Sequence, residues 1–310
     1  MTAAASRARG AGGAAAALVG DDASDFELLA KSLAALHRVV VALSGGADSA
    51  LLAYVATATL GRERARCVTA VSASLAPEEL EECAALAREW DLSWSTAATG
   101  ELDVPAYAAN GLDRCFHCKS ELMAALEPIA AAHGATVVLG VNLDDLGDHR
   151  PGQAAAAGRG AAFPLVDAGL TKARVRGLSR ALRLRTADKP AAACLASRVP
   201  HGTPVTVELL GRIARAESAL RRLGFRELRV RHYDDCARIE LGEAELGRAL
   251  ELRADVTAAV RSAGYRYVTL DLDGLRSGNL SRAALDDERA RRVTLLRDTR
   301  EPAEGARRQP

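Results

Sequence analysis

The sequence predicts an α/β protein, a doubly wound parallel sheet followed by a smaller α+β unit. Three observations carry that expectation. The apolar run Val39-Val40-Val41-Ala42-Leu43 stops at Ser44-Gly45-Gly46-Ala47-Asp48-Ser49 and leads into the Ala-rich segment Ala50 to Leu60, so a buried strand turns directly into a helix. Strand and helix signals then alternate as far as Val141. From Thr203 the pattern changes to helices separated by short strands, which suits a second unit.

Taken in order, Cys67 to Ala73 reads as a second buried strand, and Pro77 to Trp90 as an amphipathic helix opened by Glu78 and Glu79. Leu92 to Ala97 is a weaker third strand. Met123 to Ala132 continues a helix that Gly134 ends, and Thr136 to Val141 is a fourth strand. Ala154 to Gly160 carries little signal, and Leu165 to Arg183 reads as a turn and an Arg-rich helix capped by Thr171. In the second unit a helix is expected from Val205 to Leu223, strands over Glu227 to His232, Ala237 to Leu241 and Tyr265 to Leu272, and one helix from Glu243 to Ala263. The expected organisation is a disordered segment over 1–21, a nucleotide-binding domain over 22–198, a smaller substrate or oligomerisation domain over 199–285 and a partly disordered tail over 286–310.

At 310 residues and 49% hydrophobic content the chain can bury two proper cores. A formal net charge of +1 gives no support to a nucleic-acid groove or an anionic membrane surface. The basic residues are overwhelmingly Arg, with only Lys31, Lys119, Lys172 and Lys189 as lysines, which we read as compositional bias. Met1 to Gly20 lacks the uninterrupted apolar core of a signal or membrane span, and six cysteines without a leader point to a reducing compartment, so a cytoplasmic protein is expected.

The Ser44 to Ser49 turn joins a strand to a helix N-terminus, where free N–H groups and the helix dipole favour an anion and glycines let phosphate approach the backbone. It lacks the Gly-x-x-x-x-Gly-Lys-Ser/Thr of a P-loop and the Gly-x-Gly-x-x-Gly of a dinucleotide site. It resembles instead the PP-loop of ATP pyrophosphatases, which cut ATP between its α and β phosphates; Asp48 would suit Mg²⁺. A strand-ending glycine turn is the plain alternative. The loop from Asn142 to Gly152 brings Asp144, Asp145, Asp148 and Arg150 to a strand's carboxyl end, where they could bind metal and phosphate or simply face solvent.

Cys115-Phe116-His117-Cys118 pairs two thiols at Cys-x-x-Cys spacing, and Cys194 stands far downstream. Three thiolates are incomplete for Cys₄ zinc and suit a [4Fe–4S] cluster with one open iron, while a Cys₃His zinc site using His117 or His201 is the rival. Cys67, Cys83 and Cys236 read as small core residues.

Around Cys194, the run Asp188-Lys189-Pro190-Ala191-Ala192-Ala193-Cys194-Leu195-Ala196-Ser197-Arg198 resembles the Cys-Leu-Ala-Ser-Arg signature of the LarE family. The likeness spans about Asp25 to Leu280. It takes in the Ser44 to Ser49 loop, Asp113 to Lys119, Asn142 to Gly152, Pro164 to Lys172, Arg229 to His232, Ala237 to Glu240 and Asp271 to Gly278. It departs from the family at His232-Tyr233-Asp234-Asp235-Cys236, where His-Gly is expected.

The resemblance implies an ATP-dependent enzyme that adenylates the ring carboxylates of pyridinium-3,5-biscarboxylic acid mononucleotide and replaces their oxygen with sulfur, toward the nickel-pincer nucleotide of lactate racemase. It implies ATP and Mg²⁺ on Ser44, Gly45, Gly46, Asp48, Ser49, Ser72 and Asn142. It implies substrate contacts from Ser197, Arg198, Glu217, Arg229, Arg231 and Glu240, and a [4Fe–4S] cluster on Cys115, Cys118 and Cys194. Members with one reactive cysteine give up its sulfur, whereas three-cysteine members resemble cluster enzymes. A sulfide or sulfur-delivery partner and a homo-oligomer follow from the same likeness. Other PP-loop chemistries (tRNA thiolation, amide formation) and a non-catalytic ATP sensor are the alternatives.

Overall fold

The computed structural model describes residues 18–147, 151–190 and 193–276. The N-terminal 17 residues, Asp148, His149 and Arg150, Ala191 and Ala192, and the stretch beyond Arg276, with the expectations that fall on them, lie outside these ranges.

Four strands form one parallel sheet: Val39–Ala42 (β1), Ala65–Val71 (β2), Ser93–Ala98 (β3) and Thr136–Val138 (β4), in the order β3-β2-β1-β4. Side chains on a strand alternate between faces, and β1 uses both. Val39 and Val41 pack into a core with Leu29 and Leu33 of the helix Gly20–Ala35 (α1), Leu51 and Val55 of Ala47–Leu60 (α2), and Val175 and Leu178 of Lys172–Ala181. Val40 packs the other way, against Met123, Leu126 and Ala130 of the helix Arg114–His133. Helices therefore cover both faces, as a parallel sheet requires. Every residue from Ala50 to Ala56 is buried, which is why α2 shows no polar stripe.

Between these elements lie Pro77–Glu89 (α3), Pro105–Ala108 (α4), Arg114–His133 (α5), Pro151–Gly158 (α6), Pro164–Asp167 (α7) and Lys172–Ala181 (α8). Gly134 ends α5 in the left-handed region (φ 55°), and Thr171 caps α8 by accepting from the Arg174 N–H at 3.3 Å. Two expectations need correction. Ala154 to Gly160, a stretch of little signal in the sequence, falls largely in α6, whose Ala156 is fully buried against the α5 side of the sheet. The α1 helix begins at Gly20, inside the stretch 1–21 expected to be disordered.

The second unit comprises Val207–Arg222 (α9), Leu228–Tyr233 (β5), Cys236–Leu241 (β6), Leu246–Glu251 (α10), Arg253–Ser262 (α11) and Tyr267–Leu270 (β7). Strand β6 is central, antiparallel to β5 and parallel to β7. The single helix expected from Glu243 to Ala263 is broken at Leu252, whose ψ of 21° leaves the helical range. The departure at His232 to Cys236 is a tight hairpin with Asp234 at φ 50°. Cys236 is half-buried at its end and not a core residue, whereas Cys67 and Cys83 are fully buried.

The junction between the units is a packed seam. Tyr107, Leu195, Ala196, Val199, Val205, Leu210 and Ile213 form one core across it. The fully buried Asn110 donates to the carbonyls of Pro200 (2.8 Å) and Thr203 (2.9 Å), and Arg114 reaches both Asn110 and the Ala196 carbonyl (2.9 Å). Among the described residues no helix is long and apolar enough to cross a membrane.

Candidate active site

A cavity of about 360 Å³ opens at the carboxyl ends of β1, β2 and β4, where a parallel sheet places its ligand. One wall is the Ser44 to Ser49 loop. Gly45 turns it at φ 74°, the Ser44 N–H donates to Ser49 Oγ at 3.2 Å, and Ser49 Oγ donates to the Gly46 carbonyl at 3.2 Å. Gly46 caps α2, so the unpaired N–H groups of the first turn face the same space. Gly140, after β4, lies directly on that turn; a Cβ there would stand 2.7 Å from the Ser49 nitrogen.

Asp48 is held from two sides, by Lys172 Nζ and by Asn142 Nδ2 at 3.1 Å. Asn142 in turn is fixed by Asp145, which accepts from its N–H at 3.1 Å, and Asp144 accepts from the Lys172 N–H at 2.8 Å. These two carboxylates of the acidic loop thus fasten backbone. On the other side of the loop Lys189 Nζ donates to the Gly45 carbonyl at 3.1 Å and to Glu79 at 2.6 Å.

The opposite wall carries sulfur. Cys118 and Cys194 both line the cavity, with Lys119 beside them. Burial pushes the Cys118 thiol up to about 12, and the neighbouring Cys194 adds to the rise. Cys115 is exposed on the first turn of α5 and does not line the cavity. Among the described residues no three His, Cys, Asp or Glu side chains are placed to hold a metal ion. The two histidines of the zinc alternative face elsewhere: His117 meets Asp113 at 3.1 Å, and His201 Nδ1 meets the carbonyls of Asn110 and Gly111 at 3.4 and 3.2 Å. By residue type three thiols suit a sulfur-ligated group, but among the described residues only Cys118 and Cys194 share the cavity and Cys115 stands apart.

Ser72, expected at the nucleotide, sits in a polar knot that the sequence did not suggest. Buried Glu101 accepts from Ser72 and, at 2.6 Å, from Ser74, whose carbonyl accepts from the Leu195 N–H at 2.8 Å. The knot therefore joins the cavity wall to the cysteine segment.

Behind Cys194 lies an arginine and glutamate cluster built from both units. Arg198 binds Glu217 through Nε (2.8 Å) and Nη2 (3.1 Å), and its Nη1 donates to the carbonyls of Ala193 (2.6 Å) and Cys194 (3.2 Å). Glu217 is fully buried and also accepts from the Val230 N–H at 3.0 Å. Arg231 donates to the Ser197 carbonyl at 2.8 Å and to buried Glu240 at 2.7 Å. Arg229, two residues earlier on β5, differs from both. It is 8% exposed, yet its guanidinium has no hydrogen bond or salt bridge among the described residues, and burial with Arg198 and Arg231 nearby lowers its pKa. Its nitrogens keep contact with solvent, and Glu240 and Glu217 partly offset the two arginines, so it is the cation of this cluster with donors free for an anionic ligand.

The structure thus brings together Ser44, Gly46, Asp48, Ser49, Ser72 and Cys194 on one cavity, holds Gly45 and Asn142 against its loop, and gathers Ser197, Arg198, Glu217, Arg229, Arg231 and Glu240 behind the cysteine. The signal that sequence reading passed over was the lysines: Lys119 lines this cavity, and Lys172 and Lys189 pair with its lining carboxylates Asp48 and Glu79, although composition had seemed to explain their scarcity.

Comparison with known proteins fits this geometry. The NAD synthase family description matches residues 27–108, the stretch holding the Ser44 to Ser49 turn. An uncharacterized protein of Synechocystis sp. is 44% identical over 84% of this chain and 97% of its own. The pyridinium-3,5-bisthiocarboxylic acid mononucleotide synthase of Lactiplantibacillus plantarum is 37% identical over 82% of this chain and 92% of its own. At 37% identity over 82% of its length to that synthase, the chain belongs to the LarE family of ATP-dependent sulfurtransferases.

Proposed function

We propose that this protein adenylates the ring carboxylates of pyridinium-3,5-biscarboxylic acid mononucleotide and transfers sulfur to them, giving the thiocarboxylate precursor of the nickel-pincer nucleotide of lactate racemase. The observation that carries the reading is the shared cavity, with a phosphate-binding turn on one wall and Cys118 and Cys194 on the other. A carboxylate is a poor electrophile, because it is already negative and its oxygen leaves badly. Attack of a carboxylate oxygen on the α phosphorus of ATP makes a mixed anhydride and releases pyrophosphate. Attack of sulfur on the acyl carbon then expels AMP.

The turn and the N-terminus of α2 suit the β and γ phosphates, and Asp48 suits the accompanying Mg²⁺. Arg229 suits the phosphate of the mononucleotide, being the buried guanidinium left unpaired. Arg198 holds the main chain at Cys194, and Arg231 holds that of Ser197. Cys115, Cys118 and Cys194 would hold a [4Fe–4S] cluster, which when bound supplies an open iron able to carry an extra sulfide. The partners of this reading are the small nucleotide and a sulfide or sulfur-delivery system, acting in the cytoplasm on a homo-oligomer.

A second reading, in which Cys194 surrenders its own sulfur, draws on Cys115 standing outside the cavity. Anaerobic protein incubated with ATP, Mg²⁺, sulfide and the biscarboxylate nucleotide, followed by mass spectrometry of nucleotide and protein, separates the two. Iron and acid-labile sulfide with repeated product on intact protein is expected. Protein lighter by the elements of H₂S after one turnover, with Cys194 left as dehydroalanine, supports the second reading, and failure to form AMP with a thiocarboxylate overturns both.

A further inference from the structure

The chain carries 41 lysines and arginines, of which four are lysines. Lys31 is exposed on α1. The other three converge on one place: Lys119 lines the cavity, Lys172 pairs with Asp48, and Lys189 pairs with Glu79 and the Gly45 carbonyl. Elsewhere the described ion pairs to acidic residues are made by arginine, apart from one histidine, as in Arg174 with Asp25, Arg185 with Glu82 and Glu89, and Arg231 with Glu240. A composition that supplies arginine by default has kept lysine at the phosphate-binding turn.

The two residues have different chemistry. An ammonium is a compact charge with three freely directed donors, whereas guanidinium is a broad planar fork. Space beneath the loop is small: a Cβ on Gly45 would lie 3.0 Å from Cys83 Sγ and 3.6 Å from Lys189 Nζ. Neither ammonium is saturated among the described residues. Lys172 Nζ has Asp48 as its partner, and Lys189 Nζ has Glu79 and the Gly45 carbonyl, so donors remain on both. Their carboxylate partners line the cavity, one on each side of the loop. Without the lysines, Asp48 and Glu79 would present two negative charges to an entering triphosphate. The partial charge of one helix end, about half an elementary charge, could not offset them, and a Mg²⁺ on Asp48 would leave Glu79 unanswered.

Resting on the adenylation reading, we propose that Lys172 and Lys189 are the cations that bind the β and γ phosphates of ATP. Each rests on a carboxylate at the rim of the turn and turns its ammonium to the phosphates when the nucleotide enters. Lys172 and Lys189 flank the departing pyrophosphate and favour its release from the α phosphorus.

The test compares binding of ATP, inorganic pyrophosphate and AMP, with Mg²⁺ present, by full-length wild type, Lys172→Met, Lys189→Met and Lys189→Arg. Each Met variant should bind ATP and pyrophosphate about tenfold or more weakly while AMP affinity stays within about twofold, the effect expected for loss of a charge-assisted phosphate contact. Lys189→Arg should fail to restore pyrophosphate binding. Parallel loss of AMP and ATP, with a lowered melting temperature, would mean the lysines only brace the loop and overturns the proposal. Unchanged pyrophosphate affinity in both Met variants overturns it too. Wild-type protein that binds neither ATP nor pyrophosphate overturns the adenylation reading as well, so the two failures are distinguishable.

Discussion

Arg198 closes a two-pronged ion pair on Glu217, with Nε and Nη2 at 2.8 and 3.1 Å from the two carboxylate oxygens, while its remaining Nη1 reaches the Cys194 carbonyl at 3.2 Å. One side chain therefore connects α9 of the second unit to the backbone of the sulfur site in the first. Both groups are nearly or fully buried, so neither charge has water to fall back on.

Glu217→Ala should be one of the costliest single changes in the chain. It strands Arg198, and it removes the acceptor that satisfies the Val230 N–H. Breaking a buried pair from one side costs about 3–5 kcal/mol. Denaturant unfolding should show a loss of that size, and a loss below about 1 kcal/mol would mean that the pair is not the tie we describe.

Arg229→Ala and Arg231→Ala should separate binding from folding. Sequence alone placed both on one strand face as equivalent substrate cations. The structure distinguishes them, because Arg231 is already committed to Glu240 and the Ser197 carbonyl and Arg229 has neither kind of partner. Arg231→Ala should therefore destabilise the fold by about 3 kcal/mol or more. Arg229→Ala should leave stability within about 1 kcal/mol, since it removes no hydrogen bond or salt bridge among the described residues, yet weaken binding of the phosphorylated substrate at least tenfold. Unfolding curves and substrate titrations on the same two proteins check this, and equal effects on both readouts would contradict it.

The fold was legible where the signals were local. Five apolar residues running into Ser-Gly-Gly declare a strand and the helix after it, and the split of Val39 and Val41 from Val40 between the two faces follows from the strand itself. Helix α6 was not legible, because its Ala-rich stretch owes its order to packing on α5 and not to its own pattern. Nor was the break at Leu252, which no Gly or Pro announces. In the site, the turn and the cysteines could be read from residue type and spacing. Glu101, Asn110 and Lys189 could not, since each acquires its role from a partner distant in sequence: Ser74, the Pro200 carbonyl and the Gly45 carbonyl.

Gly140 supplies a sharp test of how the turn is supported. It follows β4 and lies against the first turn of α2, so closely that an added Cβ would stand 2.7 Å from the Ser49 nitrogen, 2.9 Å from its Cα and 3.0 Å from the Asp48 carbonyl carbon. All three are backbone atoms, so no side chain can swing aside to make room. Gly140→Ala must push the end of β4 away from α2 or displace Asp48 and Ser49, and overpacking of this kind costs about 1–3 kcal/mol. Because the displaced atoms form the phosphate-binding turn, ATP affinity should fall at least tenfold. Gly158→Ala is the control: it lies at the end of α6 with nothing within 4 Å of the added carbon, so its stability should change by no more than about 1 kcal/mol, and ATP binding should not change. ATP titration and unfolding of the two variants side by side decide the matter, and a Gly140→Ala protein that binds ATP like the wild type would show that the turn does not depend on this contact.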